Sequence, residues 1–155
     1  NKRTKEFRGL CQHLGIIYLE NESIEIEGVK IFGSPVTPTF GNWYFQKSRH
    51  NLSEFWKNIP QDTDIIVVHG PPKRILDLSY NRDHKLEFCG CNALYNRCLE
   101  IQPKLVLFGH IHNVKDIVNA GTRTINGMDT IFSNGAVLTD GKFGILSSTG
   151  NKFKI

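Results

Sequence analysis

Residues 64–72, Asp64-Ile65-Ile66-Val67-Val68-His69-Gly70-Pro71-Pro72, and residues 103–112, Pro103-Lys104-Leu105-Val106-Leu107-Phe108-Gly109-His110-Ile111-His112, share one plan. In each, four apolar residues run into a turn that carries glycine and histidine. A short continuous run of aliphatic residues is the pattern of a strand buried on both faces, as in a parallel sheet layered with helices. Open α/β sheets gather their ligands at the carboxyl ends of such strands, where loops converge. The two histidine turns are therefore expected side by side at one edge of a sheet.

The segments around these strands fit the same α/β class. Leu52, Phe55, Trp56 and Ile59 form a helical stripe stopped at Pro60, and Leu94, Cys98 and Ile101 form another before Pro103. Further upstream, Phe7, Leu10, Cys11 and Leu14 fall at helical spacing and Gly15 ends the run. No capping residue precedes this helix, and the chain does not open with Met, so an upstream segment is expected. Ile16–Leu19 reads as a short buried strand. Ile24 and Ile26 then alternate with Glu25 and Glu27, Gly28 permits a tight turn, and Val29–Phe32 returns as the partner strand. Beyond Gly33-Ser34-Pro35 lies an ordered loop rich in aromatics: Phe40, Trp43, Tyr44 and Phe45. The C-terminal part reads as all β, with Asn126-Gly127 as a hairpin turn and short strands at Thr130–Ser133 and Phe143–Ser147. Internal repeats, low-complexity tracts and linkers are absent from the sequence, which predicts a single unit over residues 1–155.

Composition narrows the function classes. The sequence is 39% hydrophobic, enough apolar material for a core, and no stretch approaches the ~20 consecutive apolar residues of a membrane span. Its start leads into a charged amphipathic segment instead of a signal-peptide core, so a cytoplasmic location is expected. The net charge of +4 is scattered and not gathered into a basic stripe. Specific nucleic-acid binding is not expected, whereas a small phosphate-bearing substrate suits the charge. Cys11, Cys89, Cys91 and Cys98 are read as reduced thiols, and Cys89-Gly90-Cys91 is too tightly spaced for a structural zinc pair.

His110 and His112 are two residues apart, so extended backbone projects both rings to one side, and Gly109 removes a side chain that would crowd them. His69 completes the cluster from the neighbouring strand end. Neutral imidazole suits zinc, iron, nickel or copper. A histidine after a strand also fits a satisfied surface or core residue, and a His-x-His pair arises by chance; shared placement at two strand ends favours the metal reading.

His69-Gly70-Pro71-Pro72 and Gly109-His110-Ile111-His112 resemble the two C-terminal signature motifs of the calcineurin-like metallophosphoesterases. Gly28–Pro35, Thr37-Pro38 with the aromatic loop, Asp77, Gly90-Cys91 and Gln102-Pro103-Lys104 are similar to the branch of brain-enriched metallophosphoesterase-domain proteins, so the resemblance covers nearly the whole chain. It implies the C-terminal half of a β-sandwich flanked by helices. It also implies hydrolysis of phosphate esters, phosphodiesterase-like and with nucleotides as candidate substrates, by two divalent ions (Mn2+, Fe2+/Fe3+ or Zn2+) held ~3.5–4 Å apart in such sites. By motif, His69 and His110 would ligate one ion and His112 the other. Asn134 matches a position that closes the substrate pocket wall. Asp77 is a candidate for orienting a metal-bound imidazole, with a solvated turn cap as the alternative.

The family's Asp-x-His, Gly-Asp and Gly-Asn-His motifs do not occur, and every Asp lies at or after Asp62. The resemblance therefore leaves the catalytic residue unassigned. Three neutral imidazoles lack the bridging carboxylate that holds two dications together, so one weakly held ion is expected. Without the first strands of the sandwich, the strands around Val67 and Val106 are expected to expose a face or edge, to be covered by a missing N-terminal half or a partner chain. The competing readings are a degenerate member that binds a nucleotide or partner without hydrolysis, and a mononuclear zinc module using all three histidines. Lys73 and Arg74 either meet substrate phosphate or face water. Trp43, Tyr44 and Phe45 either stack on a base or cover a core.

Overall fold

Apolar runs separated by short helical stripes fold as the sequence dictates, into a mixed sheet with helices against it. The computed structural model describes residues 2–81, 83–139 and 150–154. Its main sheet has six strands: β1 (Glu22–Ile26), β2 (Val29–Ser34), β5 (Ile65–Val68), β8 (Leu105–Phe108), β10 (Met128–Asn134) and β9 (Gly121–Ile125), in that spatial order. Two short ribbons accompany it, β3 (Thr37–Pro38) with β4 (Gln46–Lys47), and β6 (Leu78–Tyr80) with β7 (Leu86–Phe88). The helices are α1 (Lys2–His13), α2 (Leu52–Trp56) and α3 (Asn92–Ile101).

The four central strands, β2, β5, β8 and β10, are mutually parallel, and antiparallel hairpins close both edges. In the β1–β2 hairpin, Glu27 (φ 51°) and Gly28 (φ 79°) form a two-residue turn with both residues left-handed, which matches the right-handed twist of the strands it joins. Phe32, Ile66, Val106 and Phe132 lie in register across the parallel strands and are almost wholly buried. They share one core with Leu52, Trp56 and Ile59 from α2 and the turn after it, and with Leu94 and Cys98 from α3. Cys91 starts α3: its Sγ accepts from the Leu94 amide at 3.4 Å and from the Trp56 indole at 3.3 Å. The cysteines are free. Burial among apolar neighbours raises the Cys98 thiol to about 12, so it packs as a small hydrophobe.

Asp64 ties together the amino ends of the parallel strands. Its carboxylate accepts from the Lys30 amide at 2.9 Å and pairs with Lys104 Nζ at 2.9 Å, while its carbonyl accepts from the Lys104 amide at 2.8 Å. The amide of Ile131 donates to the Lys104 carbonyl at 3.0 Å, so one polar chain links β2, β5, β8 and β10.

Several expectations need correction. Ile16–Leu19 does not form a strand. Instead Leu19 lies on Gly33, where an added Cβ would come within 2.4 Å of the Leu19 Cβ. Burial on both faces fails at Val67, which is 40% exposed, although Ile65, Ile66 and Val68 are buried. Ile131 on β10 is likewise 37% exposed. Helices α2 and α3 pack on one face of the sheet, and the mixed sheet flanked by helices is the α/β class expected from the sequence. The first helix forms, yet Phe7, Leu10 and Leu14 of its stripe are exposed. The β6–β7 ribbon was not foreseen: Leu78–Tyr80 and Leu86–Phe88 are too short and too mixed in polarity to give a period. The hairpin around Asn126-Gly127 is confirmed, and the expected strand at Phe143–Ser147 lies outside the described residues.

Replacing Asp64 with Ala is expected to lower stability by about 1–3 kcal/mol, through loss of the hydrogen bond to the Lys30 amide and the Lys104 contact. The Lys30 amide and the Lys104 ammonium hold the Asp64 carboxyl below the usual aspartate range. The stability it supplies is thus present above the unfolded-state pKa and is lost as pH falls through the lowered folded value. Urea unfolding across the acid range should show a shallower acid loss in Asp64→Ala than in the parent chain.

Candidate metal and phosphate site

Because the four central strands run the same way, their carboxyl ends, Ser34, Val68, Phe108 and Asn134, open on one edge of the sheet. His69 follows β5 directly and His110 follows β8 after one glycine. The turns are laced together, the Gly109 amide donating to the His69 carbonyl at 3.0 Å. The two imidazoles lie with ring centroids 4.7 Å apart and planes tilted by 44°. Phe40, from the aromatic loop after β3, brings its ring to 4.7 Å from that of His110.

The backbone at His110 is not extended. Its φ is 71°, and the Ile111 amide donates to the Gly109 carbonyl at 2.8 Å, which defines a γ-turn with a positive central φ. A non-glycine residue there carries about 1–3 kcal/mol of strain, which the surrounding structure must hold in place. His110 and His112 therefore do not present themselves as a flat His-x-His strand. Beyond its chain neighbours, a Cβ added at Gly109 would meet the Ala136 nitrogen at 3.9 Å, so the glycine does not relieve crowding of His112.

Two buried asparagines hold this strained loop. Asn134, 1% exposed, donates through Nδ2 to the Ile111 carbonyl at 2.9 Å and the Leu76 carbonyl at 3.1 Å, and its Oδ1 accepts from the Ala136 amide. Its carboxamide thus braces the backbone on both sides of the loop. Asn119, also 1% exposed, donates to the His112 carbonyl at 2.8 Å and to the Leu78 carbonyl at 2.8 Å, while accepting from the Leu78 amide at 3.2 Å. Sequence reasoning missed Asn119, since an asparagine between a loop and a strand carries no periodic signal.

Asp77 is neither a solvated cap nor a partner of a histidine. It is 1% exposed, and its Oδ2 accepts from the amides of Gly90 at 2.8 Å and Arg74 at 2.9 Å, joining the turn after His69 to the start of α3. Its Oδ1 is buried without a hydrogen bond, and burial raises its pKa above the usual carboxylate value despite the two amides. The Arg74 guanidinium lies 6.0 Å from the Phe88 ring centroid. Trp43 and Tyr44 are 71% and 92% exposed, so they do not cover a core here.

Burial lowers the pKa of His69, so its imidazole is neutral near pH 7, the form that can donate to a metal. Among the described residues, no group of three or more His, Cys, Asp or Glu side chains converges on a metal-sized point. The donors thus fit one side of a metal centre, two imidazoles from adjacent strands, and do not supply the carboxylate that would join two ions.

A family profile described as Calcineurin-like phosphoesterase matches residues 2–114. The human protein "Metallophosphoesterase domain-containing protein 1" is 38% identical over 110 residues, 70% of this chain and 33% of that protein. "Probable rhamnogalacturonate lyase C" of Emericella nidulans is 42% identical over 104 residues, 63% of this chain, but the matched stretch is 9% of that protein. A crystal structure aligns with a TM-score of 0.58 at 16% identity, covering 84% of this chain and 50% of its own, a likeness of fold. The chain therefore spans about a third of the human relative and less of the fungal one.

Asp77→Ala strips two amides of their acceptor and is expected to cost about 2–4 kcal/mol, whereas Asp77→Asn keeps an oxygen for them and costs less. The raised carboxyl also fixes a sign. Folded Asp77 holds its proton to higher pH than the unfolded chain does, so its contribution to stability falls as pH rises from the unfolded aspartate pKa to the raised folded value. Chemical unfolding of the parent and Asp77→Asn across that window should show this decline in the parent only.

Proposed function

Because this chain belongs to the calcineurin-like phosphoesterases, a family of phosphoester hydrolases that generally use divalent metals, we propose that it supplies one wall of a metal-dependent phosphodiesterase-type site. The observation that carries this reading is the 4.7 Å approach of the His69 and His110 rings at the ends of neighbouring parallel strands. In this reading His69 and His110 hold one ion and His112 contributes to a second, Mn2+, iron or Zn2+ being the candidates. A bound divalent ion supplies Lewis-acid polarisation of a phosphoryl oxygen and an acidified water. The protein's own contribution is to keep His69 neutral, to fix His110 in its γ-turn through Asn134 and the Gly109–His69 hydrogen bond, and to hold the two turns together. The carboxylate and the catalytic group come from the rest of the intact domain.

A nucleotide-like ester is the proposed substrate. Its support is the aromatic loop, where Phe40 touches His110 and the exposed Trp43 and Tyr44 offer ring faces within the same loop. A non-hydrolytic, ligand-binding member of the fold is the second reading, favoured by the absence of a convergent donor trio among the described residues.

The proposed partner is the remainder of the same domain, placed on the uncovered face of the sheet. Val67, Ile31, Ile26 and Ile17 line an apolar cavity of about 690 Å³ there, extending to Phe40 and His69. Open apolar surface on this scale marks an interface or an aggregation hazard. The proposed location is the cytoplasm; among the described residues, no helix is long and apolar enough to cross a membrane.

Two outcomes are expected. Calorimetry with Mn2+ and Zn2+ should show one weakly held ion per chain, weaker still in His110→Ala, with negligible hydrolysis of a generic phosphodiester; tight binding of two ions with turnover would refute the incomplete-site reading. Separately, the double change Val67→Thr and Ile131→Thr should reduce self-association in sedimentation velocity. Unchanged self-association would show that the exposed sheet face is not its cause.

A further inference from the structure

The β6–β7 ribbon lies outside the main sheet, yet it connects to the loop that carries His112. Leu78, the first residue of β6, gives both its amide and its carbonyl to the Asn119 side chain, and the same Nδ2 reaches the His112 carbonyl at 2.8 Å. The Asn119 amide in turn donates to Asn113 Oδ1 at 2.7 Å, and the Ala120 amide donates to that same oxygen at 2.8 Å. The residues on both sides of this junction are thus held through one carboxamide. The Asn119 Oδ1 accepts one bond and its two N–H groups serve two carbonyls, so both side-chain donors are used. The loop it grips is strained at His110, and a strained loop keeps its shape only where contacts over-determine it. Asn134 grips the loop at Ile111 and Asn119 grips it at His112, so each of two consecutive carbonyls has its own brace.

We infer that Asn119 is a positioning residue for His112, setting the direction from which that imidazole enters the site by clamping its backbone to β6. The metal part of this inference rests on the proposed function, while the positional part does not. Partners that orient ligand residues commonly matter by about 10–100-fold in metal affinity when removed.

The control is Thr130→Ala. Thr130 is as buried as Asn119, and its Oγ1 donates to the Pro103 carbonyl at 2.6 Å at the opposite, amino end of β8 and β10. Asn119→Ala, Asn119→Ser and Thr130→Ala are compared with the parent chain by proton–nitrogen NMR of the histidine side chains, by amide hydrogen exchange at Ile111–Asn113, and by Zn2+ affinity. The expected result is that both Asn119 variants move or broaden the His112 ring signals, speed exchange at these amides and weaken Zn2+ binding roughly tenfold. Thr130→Ala should lower the melting temperature without those changes. Identical His112 signals and exchange in Asn119→Ala and Thr130→Ala would overturn the inference. So would loss of the folded spectrum in both Asn119 variants with Thr130→Ala still folded, because Asn119 would then support the fold as a whole. If the parent chain itself fails to bind Zn2+, the functional reading fails, and the NMR and exchange comparison still decides the positional role.

Discussion

The row formed by Phe32, Ile66, Val106 and Phe132, buried beneath α2 and α3, keeps four strands parallel and in register, and the geometry of the site descends from that register. A one-residue slip would turn each of these side chains to the opposite face, so hydrophobic burial fixes the alignment strongly. Once the strands are aligned, Val68 and Phe108 end at the same edge, and the residues that follow them cannot avoid meeting. The 4.7 Å approach of His69 and His110 is thus a consequence of core packing some distance from any ligand.

The two ends of these strands are stabilised by different chemistry. At the amino ends, Asp64 satisfies the Lys30 amide and faces Lys104 in partial contact with water, where a charged side chain costs little. At the carboxyl ends, buried neutral amides do the corresponding work: Asn119 and Asn134 satisfy carbonyls of the histidine loop with no net charge. Neutral braces suit the proposed metal and phosphate site, since they hold the loop without competing for either ligand. Asp77 is the exception, a carboxylate buried beside this region, and its raised pKa records the cost of that burial.

Much of this architecture was legible in the sequence. Runs such as Ile65–Val68 and Leu105–Phe108, stopped by Gly and Pro, and the turns at Gly28 and Gly127, are local signals that tertiary structure did not override. The meeting of His69 with His110 was legible for the same reason, because strand ends follow from strand register. Three features were not legible. The γ-turn at His110 is closed by the local Gly109–Ile111 hydrogen bond and braced by the distant Asn134, and no sequence pattern announces either, so an extended His-x-His was the natural expectation. The roles of Asn119 and Asn134 depend on which carbonyls pass nearby, and a sequence contains no such distance. The lone exposure of Val67 within a buried run depends on what covers the sheet, which a four-residue pattern does not encode.

The central claim is that His69 and His110 form one side of a metal centre whose carboxylates lie elsewhere in the domain. X-ray absorption at the zinc edge of the Zn2+-loaded chain tests it directly by reporting the ligands and any neighbouring metal. The account predicts imidazole scattering from two histidines, completed by light oxygen donors, with no metal–metal vector, and loss of that signature when His69 is replaced by Ala. A metal–metal vector at ~3.5–4 Å, or zinc bound through sulfur with no imidazole, would contradict it.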